Sequence, residues 1–114
     1  IEFFDRYKTF SKYEIMESWF NKGEKHSYQN YHIHAGADIS GVYYHQTNGK
    51  DGNITFRTDS LGIRSSKIYP YYDMSQEPRK GKILLFPSFL EHCVLKNQTD
   101  DERISVSFNV NLQI

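Results

Sequence analysis

The chain has 114 residues, with 14 Lys+Arg against 14 Asp+Glu and a formal net charge of zero. That balance builds no broad positive field to attract nucleic acid, and no apolar run is long enough to cross a membrane as a helix. Aromatic residues reach 16% of the chain against 38% hydrophobic overall, a mixture that suits amphipathic β-strands better than a helical bundle.

This length is that of one domain, taken here as residues 1–114. A single cysteine, Cys93, excludes an internal disulfide framework. With no signal peptide in view, a cytoplasmic location is expected. The chain opens on Ile1 rather than Met, so elements ahead of it are expected to be missing.

From the N-terminus, Phe3 to Ser11 reads as a short helix or loose chain. Turn signals then recur at short intervals, the pattern of an all-β domain. They are Lys22-Gly23, the Asn-Gly and Asp-Gly pairs within Thr47–Gly52, Leu61-Gly62, Pro78–Gly81 and Asn97–Asp101. The runs between them predict strands near 13–21, 28–34, 38–46, 53–58, 66–72, 82–87, 91–96 and 102–112. About eight short strands is the number a double-stranded β-helix (a jelly roll or cupin-like barrel) requires.

The last strand alternates most cleanly. Ile104, Val106, Phe108, Val110 and Leu112 share one face, and Arg103, Ser105, Ser107, Asn109 and Asn111 share the other. Arg103 and Ser105 therefore point the same way.

Three elements carry chemistry. In Asn30-Tyr31-His32-Ile33-His34, the two imidazoles sit at i and i+2, on one face of a strand and roughly 7 Å apart. Two such rings can converge on one metal ion. Standing alone, the pair is as often two ordinary histidines. His92 lies 58 residues beyond His34, just after the apolar run Ile83–Phe86 and Pro87, where a strand would open at a barrel mouth. Taken by itself it reads as a surface histidine. Arg103-Ile104-Ser105 follows 11 residues later. A buried arginine there would grip a carboxylate through two parallel hydrogen bonds, with Ser105 adding another. The competing reading is an exposed cation paired with Asp101 or Glu102. The ordered set is far more specific than any member.

That set resembles the Fe(II)/2-oxoglutarate-dependent oxygenase superfamily, and within it a family of oxygenases common in marine bacteria and their phages. The matching stretches are Ser18-Trp19 with Gly23, His32–Gly36, Ser40–Tyr44, Gly81–Ser88, His92–Val94 and Glu102–Asn109. Together they cover about residues 14 to 111. The resemblance implies Fe(II) and 2-oxoglutarate as cofactors, with decarboxylation to succinate and hydroxylation of a substrate C–H bond. It implies His32 and His92 as metal ligands, and Arg103 with Ser105 as the grip on the far carboxylate of 2-oxoglutarate. Tyr44 would hydrogen-bond the same carboxylate, and Asn30 would line the pocket.

At His34 the chain departs from the superfamily, which carries Asp or Glu there. Three readings stay open: His34 as a third ligand, His34 behind the metal with water or an anion in its place, or Asp38 swinging in. Spacing and facing suit the first. A third neutral ligand leaves the site one negative charge short, which should alter the potential of the metal.

Two rival readings remain: a cupin-like metal enzyme that needs neither Arg103 nor Ser105, and a non-catalytic jelly-roll binding module with Tyr69, Tyr71 and Tyr72 as an aromatic platform. The stretch Thr58–Met74 reads as a lid over the mouth, and Arg57, Arg64 and Lys67 hint at an anionic or peptidyl substrate, although a small molecule fits equally. His26, His45 and Cys93 read as non-catalytic, with Cys93 facing away from its neighbour His92.

Overall fold

The computed structural model describes residues 12–57 and 74–113. They form eight strands and no helix: β1 (Lys12–Gly23), β2 (Gln29–His32), β3 (Ile39–Gln46), β4 (Ile54–Arg57), β5 (Ser75–Gln76), β6 (Ile83–Pro87), β7 (Glu91–Val94) and β8 (Arg103–Gln113). Two four-stranded antiparallel sheets result, in the orders β1-β8-β3-β6 and β2-β7-β4-β5. This is the jelly roll that the strand count predicted. The strand expected over 66–72 and the short helix or loose chain expected over 3–11 lie outside the described residues. Ser75–Gln76 pairs with β4 and was not foreseen, because two residues carry no periodicity of their own. No described helix is long and apolar enough to cross a membrane.

Turn chemistry sets the strand ends. Between β3 and β4 the Asp51 carboxylate accepts from the Thr47 hydroxyl at 2.7 and 2.8 Å and from the Asn48 backbone N–H at 3.1 Å, the local bonding that makes Asx residues turn formers. Gly52 follows with φ at +116°, and a side chain there would collide with the Leu95 carbonyl. At the opposite loop the buried Asn97 amide donates to the carbonyls of Gly23 at 3.0 Å and Asp101 at 2.8 Å. Its oxygen accepts from Thr99, so one side chain ties the end of β1 to the approach of β8.

The large sheet is built inside out. On β8 the polar residues Ser105, Ser107 and Asn109 are buried, and Arg103, Ser105 and Ser107 line the cavity between the sheets. Register places Trp19 opposite Ser107, Asn21 opposite Ser105 and Tyr44 opposite Ser105, all on that inner face. The apolar alternates look outward: Phe20 is 76% exposed, Leu85 64% and Ile83 57%. On the same outer face the Phe108 ring lies over Gly41, in space that any side chain at Gly41 would occupy.

The apolar core is correspondingly small. Ile54, Phe56 and Phe86 are buried together, with Val42, Leu84 and Leu90 against them. The Phe56 and Phe86 rings meet edge to face at 4.9 Å, a favoured aromatic geometry. This cluster packs directly under His92, whose ring centroid lies 4.8 Å from that of Phe86 and 6.0 Å from that of Phe56.

Candidate metal and cosubstrate site

Three histidines meet at one end of the cavity. His32 ends β2, His92 stands second in β7, and the two are direct cross-strand partners. His34 lies two residues past the end of β2, and its backbone N–H donates to the Ser88 carbonyl at 3.0 Å. Ring centroids are 4.2 Å apart for His32–His92, 5.2 Å for His32–His34 and 5.1 Å for His34–His92. The ligand atoms of all three lie within 4.8 Å of one another, close enough for one first-row ion to draw them in at bonds of about 2.1 Å.

Each ring has its Nδ1 opposite an oxygen: the Asn30 carbonyl at 2.7 Å for His32, the Leu90 carbonyl at 3.0 Å for His92, and the Asn109 side-chain oxygen at 2.9 Å for His34. An oxygen acceptor at Nδ1 puts the proton there and leaves the Nε2 lone pair for a metal, which is how metal-binding imidazoles are oriented. Trp19 stacks on His34 with centroids 5.8 Å apart and planes 23° from parallel. Among the described residues no carboxylate joins the group. Asp38 in particular is engaged elsewhere, its Oδ2 accepting from the Leu112 backbone N–H at 2.8 Å.

Burial acts on His92 first. Enclosure in the core holds its pKa down to about 4, aided by the neighbouring His32 and His34 and opposed by the bond to Leu90. Its ring is therefore neutral at physiological pH. The unfolded chain takes up a proton at His92 near pH 6.5 that the folded chain refuses until about pH 4. Its contribution to stability is full above pH 6.5 and is lost as pH falls towards 4. Across that window the metal-free protein should lose about 3 kcal/mol of folding stability. Thermal melts at successive pH values will test this; a His92→Gln variant should show a shallower decline.

The cavity, about 320 Å³, runs from the histidines to Arg103, and Tyr44, Ser105, Ser107, Asn21 and Trp19 also line it. Volumes of this order accept small ligands. Arg103 is mostly buried. Its Nη1 donates to the carbonyls of Asp51 at 3.2 Å and Gly52 at 2.9 Å, and the Asp51 carboxylate stands 3.9 Å away. The alternative pairing with Asp101 or Glu102 does not occur. Gly23 keeps the space beside Nη2 open. Tyr44 is buried near this guanidinium; burial raises its pKa and the Arg103 charge partly offsets that.

The structure thus brings His32, His34, His92, Arg103, Ser105 and Tyr44 to one cavity. Asn30 is the exception. Its side chain is exposed and outside the cavity lining; its role is the backbone carbonyl that receives His32. The pocket side chain is displaced because the β2–β7 register shifts between Gln29 and His32. Cys93 is buried on the far side of β7, opposite Thr55, as its adjacency to His92 predicts. His26 and His45 are exposed. Asn109, Ser40 and Ser88, which stand behind His34, were not singled out from sequence. The available signal was Asn109's place on the same face of β8 as Arg103 and Ser105.

A family model for 2OG-Fe(II) oxygenases matches residues 17–109. No curated protein sequence matches the chain. Among solved structures, a 2OG-Fe(II) oxygenase family oxidoreductase from Burkholderia pseudomallei is similar at a TM-score of 0.72 and 17% identity, over 96% of this chain and 50% of that one. A prolyl-4-hydroxylase from Pseudomonas putida is similar at 0.60 and 14%, over 95% and 56%. A viral collagen prolyl hydroxylase from Paramecium bursaria Chlorella virus-1, solved with 2OG, is similar at 0.63 and 14%, over 99% and 68%. At these identities the likeness is one of fold, and the chain spans about half the length of the first two. The family match covers most of the chain, and the chain belongs to the 2OG-Fe(II) oxygenase family.

Proposed function

We infer that this chain is the catalytic barrel of a 2-oxoglutarate-dependent hydroxylase, with His32, His34 and His92 as metal ligands and Arg103, Ser105 and Tyr44 as the grip on the cosubstrate. One observation carries this reading: a cluster of three imidazoles and an anchored guanidinium line the same cavity. The donor set fits iron, since imidazole nitrogen is a common ligand for it. The guanidinium fits a dicarboxylate, whose far end it can hold by paired, charge-assisted hydrogen bonds. A cupin-like enzyme working without 2-oxoglutarate would have no use for Arg103 and Ser105 in that lining.

When bound, Fe(II) supplies the activation of O₂ coupled to decarboxylation of 2-oxoglutarate to succinate. The protein's part is placement. The Nδ1 contacts of His32, His34 and His92 with Asn30, Asn109 and Leu90 hold the three rings in place, so that their Nε2 atoms would be the ones to hold the metal. Arg103 sets the orientation of the dicarboxylate from the opposite end of the cavity. Phe56 and Phe86 keep water from the back of His92. The primary substrate on this reading is a small molecule or a peptidyl group, and hydroxylation is the reaction that the prolyl hydroxylases among the similar structures suggest.

An anaerobic titration of the Fe(II)-loaded protein with 2-oxoglutarate tests the assignment. A saturable visible charge-transfer band is expected as the keto acid chelates the iron. Iron bound at one equivalent with no band at millimolar 2-oxoglutarate would overturn it.

A further inference from the structure

Why His34 should present a metal-binding lone pair, where the superfamily places a carboxylate, is answered by residues behind it. The residue is held at two points: its backbone N–H donates to the Ser88 carbonyl, and its ring Nδ1 faces Asn109 Oδ1 at 2.9 Å. Asn109 is buried in β8, directly across from Ser40 in β3. The Ser40 hydroxyl lies 2.9 Å from the same amide oxygen and 2.8 Å from the Ser88 hydroxyl. Ser40 and Ser88 are almost wholly buried.

The protons in this chain run in one direction only. Among the described residues, Ser88 Oγ has a single hydrogen-bond partner, Ser40 Oγ. A fully buried hydroxyl proton without an acceptor is disfavoured, so Ser88 donates to Ser40. Ser40 must then spend its own proton on Asn109, and the atom that receives it must be the amide oxygen, not the nitrogen. That oxygen has two lone pairs: one takes Ser40 and the other faces His34 Nδ1. An acceptor at Nδ1 requires the proton on Nδ1. His34 is left with a bare Nε2 turned to His32 and His92. With the amide reversed, His34 would carry its proton on Nε2 and be unable to bind a metal, and the Ser88 proton would have no acceptor.

We propose that Asn109 is a positioning residue, held by the Ser88–Ser40 hydroxyl relay, that fixes the tautomer of His34 and so makes a neutral three-histidine metal centre in place of a two-histidine, one-carboxylate centre. The inference rests on the reading of His34 as a ligand and deepens it. An amide in this role holds the ring as a carboxylate would, but adds no negative charge behind it.

The test reads tautomer and metal affinity, not turnover. Long-range ¹H–¹⁵N correlation spectra of ¹⁵N-histidine-labelled metal-free protein should show His34 with its proton on Nδ1. In Asn109→Leu the Nε2–H form should appear at His34 while His32 and His92, held by backbone carbonyls, keep theirs. Titrated with Co(II) alone and followed by its d–d absorption, Asn109→Leu should bind about 10- to 100-fold more weakly, the usual cost of losing an outer partner of a metal-bound histidine. Asn109→Asp should restore both the tautomer and the affinity. Ser40→Ala, which frees the amide to turn, should give a mixture of tautomers and a smaller loss, and it decides the matter should circular dichroism show Asn109→Leu unfolded.

Wild-type His34 protonated on Nε2, or variants with unchanged tautomer and affinity, would overturn the proposal. His34→Ala separates the levels. If it binds Co(II) as tightly as wild type, the three-histidine reading falls and the relay with it. If it loses Co(II) while the relay variants do not, the relay alone is wrong.

Discussion

Replacing Arg103 with alanine should weaken 2-oxoglutarate binding by about 100-fold or more, the cost of deleting one partner of a buried, hydrogen-bonded charge pair, while Fe(II) still binds at one equivalent. The argument rests on how the guanidinium is held. Two backbone carbonyls of the Asp51–Gly52 turn receive Nη1, so the group is oriented before any ligand arrives, and little is lost in ordering it on binding. Within that turn Gly52 adopts a positive φ against the Leu95 carbonyl, where no side chain would fit. Arg103→Lys should recover little of the loss. A lysine keeps the charge, but its ammonium cannot dock on both carbonyls and present a planar fork at the same time. Isothermal titration of the iron-loaded protein measures both constants. Equal 2-oxoglutarate affinity in Arg103→Ala would remove this residue from the cosubstrate site and rule out the carboxylate clamp.

Much of this site was legible from sequence because its principal residues obey strand arithmetic. His32 and His34 stand at spacing two, although His34 falls just beyond the end of β2; Arg103 and Ser105 share a face of β8, and His92 lies near the start of a strand after an apolar run. The ordered combination, rather than any one motif, gave the family resemblance, and from it came the cosubstrate. The orientation of β8 was harder. An alternating strand says that two faces differ without saying which is inside, and here the usual rule is reversed: the polar alternates line the cavity and Ile104, Val106 and Phe108 lie on the outer side. The partners of the histidines were not legible at all. Asn109 meets His34 across 75 residues of sequence, and the other two rings are held by backbone carbonyls, which no side-chain pattern records. Asn30 shows the same limit from the other side. It stands at the right spacing for a pocket residue, but a register shift in β2 turns its side chain out and leaves only its carbonyl in the site. Asp38 was a plausible carboxylate until the strand end it serves, at Leu112, was in view.

On the proposed reading, a donor set of three imidazoles has an electrostatic consequence. With no described carboxylate in the group, a divalent ion would keep its full charge until the cosubstrate arrived. The dianion of 2-oxoglutarate would then supply all the compensating charge, at the iron and at Arg103 together. Metal and cosubstrate should therefore favour one another's binding more than in a centre where a carboxylate already neutralises half the ion.

His92→Ala should abolish stoichiometric iron binding. Of the three rings this one is the most enclosed, only 3% exposed, paired across the strands with His32 and backed by Phe86 and Phe56. Its burial keeps it neutral at pH 7, so in the folded protein the lone pair is available without first expelling a proton. No other histidine stands ready to replace the ring, since the remaining two, His26 and His45, are exposed. The loss should therefore exceed the 10- to 100-fold typical of an outer partner, leaving less than a tenth of an equivalent of iron after desalting. His45→Ala, made in parallel, should retain a full equivalent. Because a truncated buried ring also leaves a cavity costing some 2–5 kcal/mol, circular dichroism must accompany the metal analysis, and His92→Gln, which fills more of the space, should show the same loss of iron with a smaller loss of stability. A folded His92→Ala protein that still held one equivalent of iron would take His92 out of the ligand set, and would leave His32 and His34 to bind the metal with a donor from elsewhere in the protein.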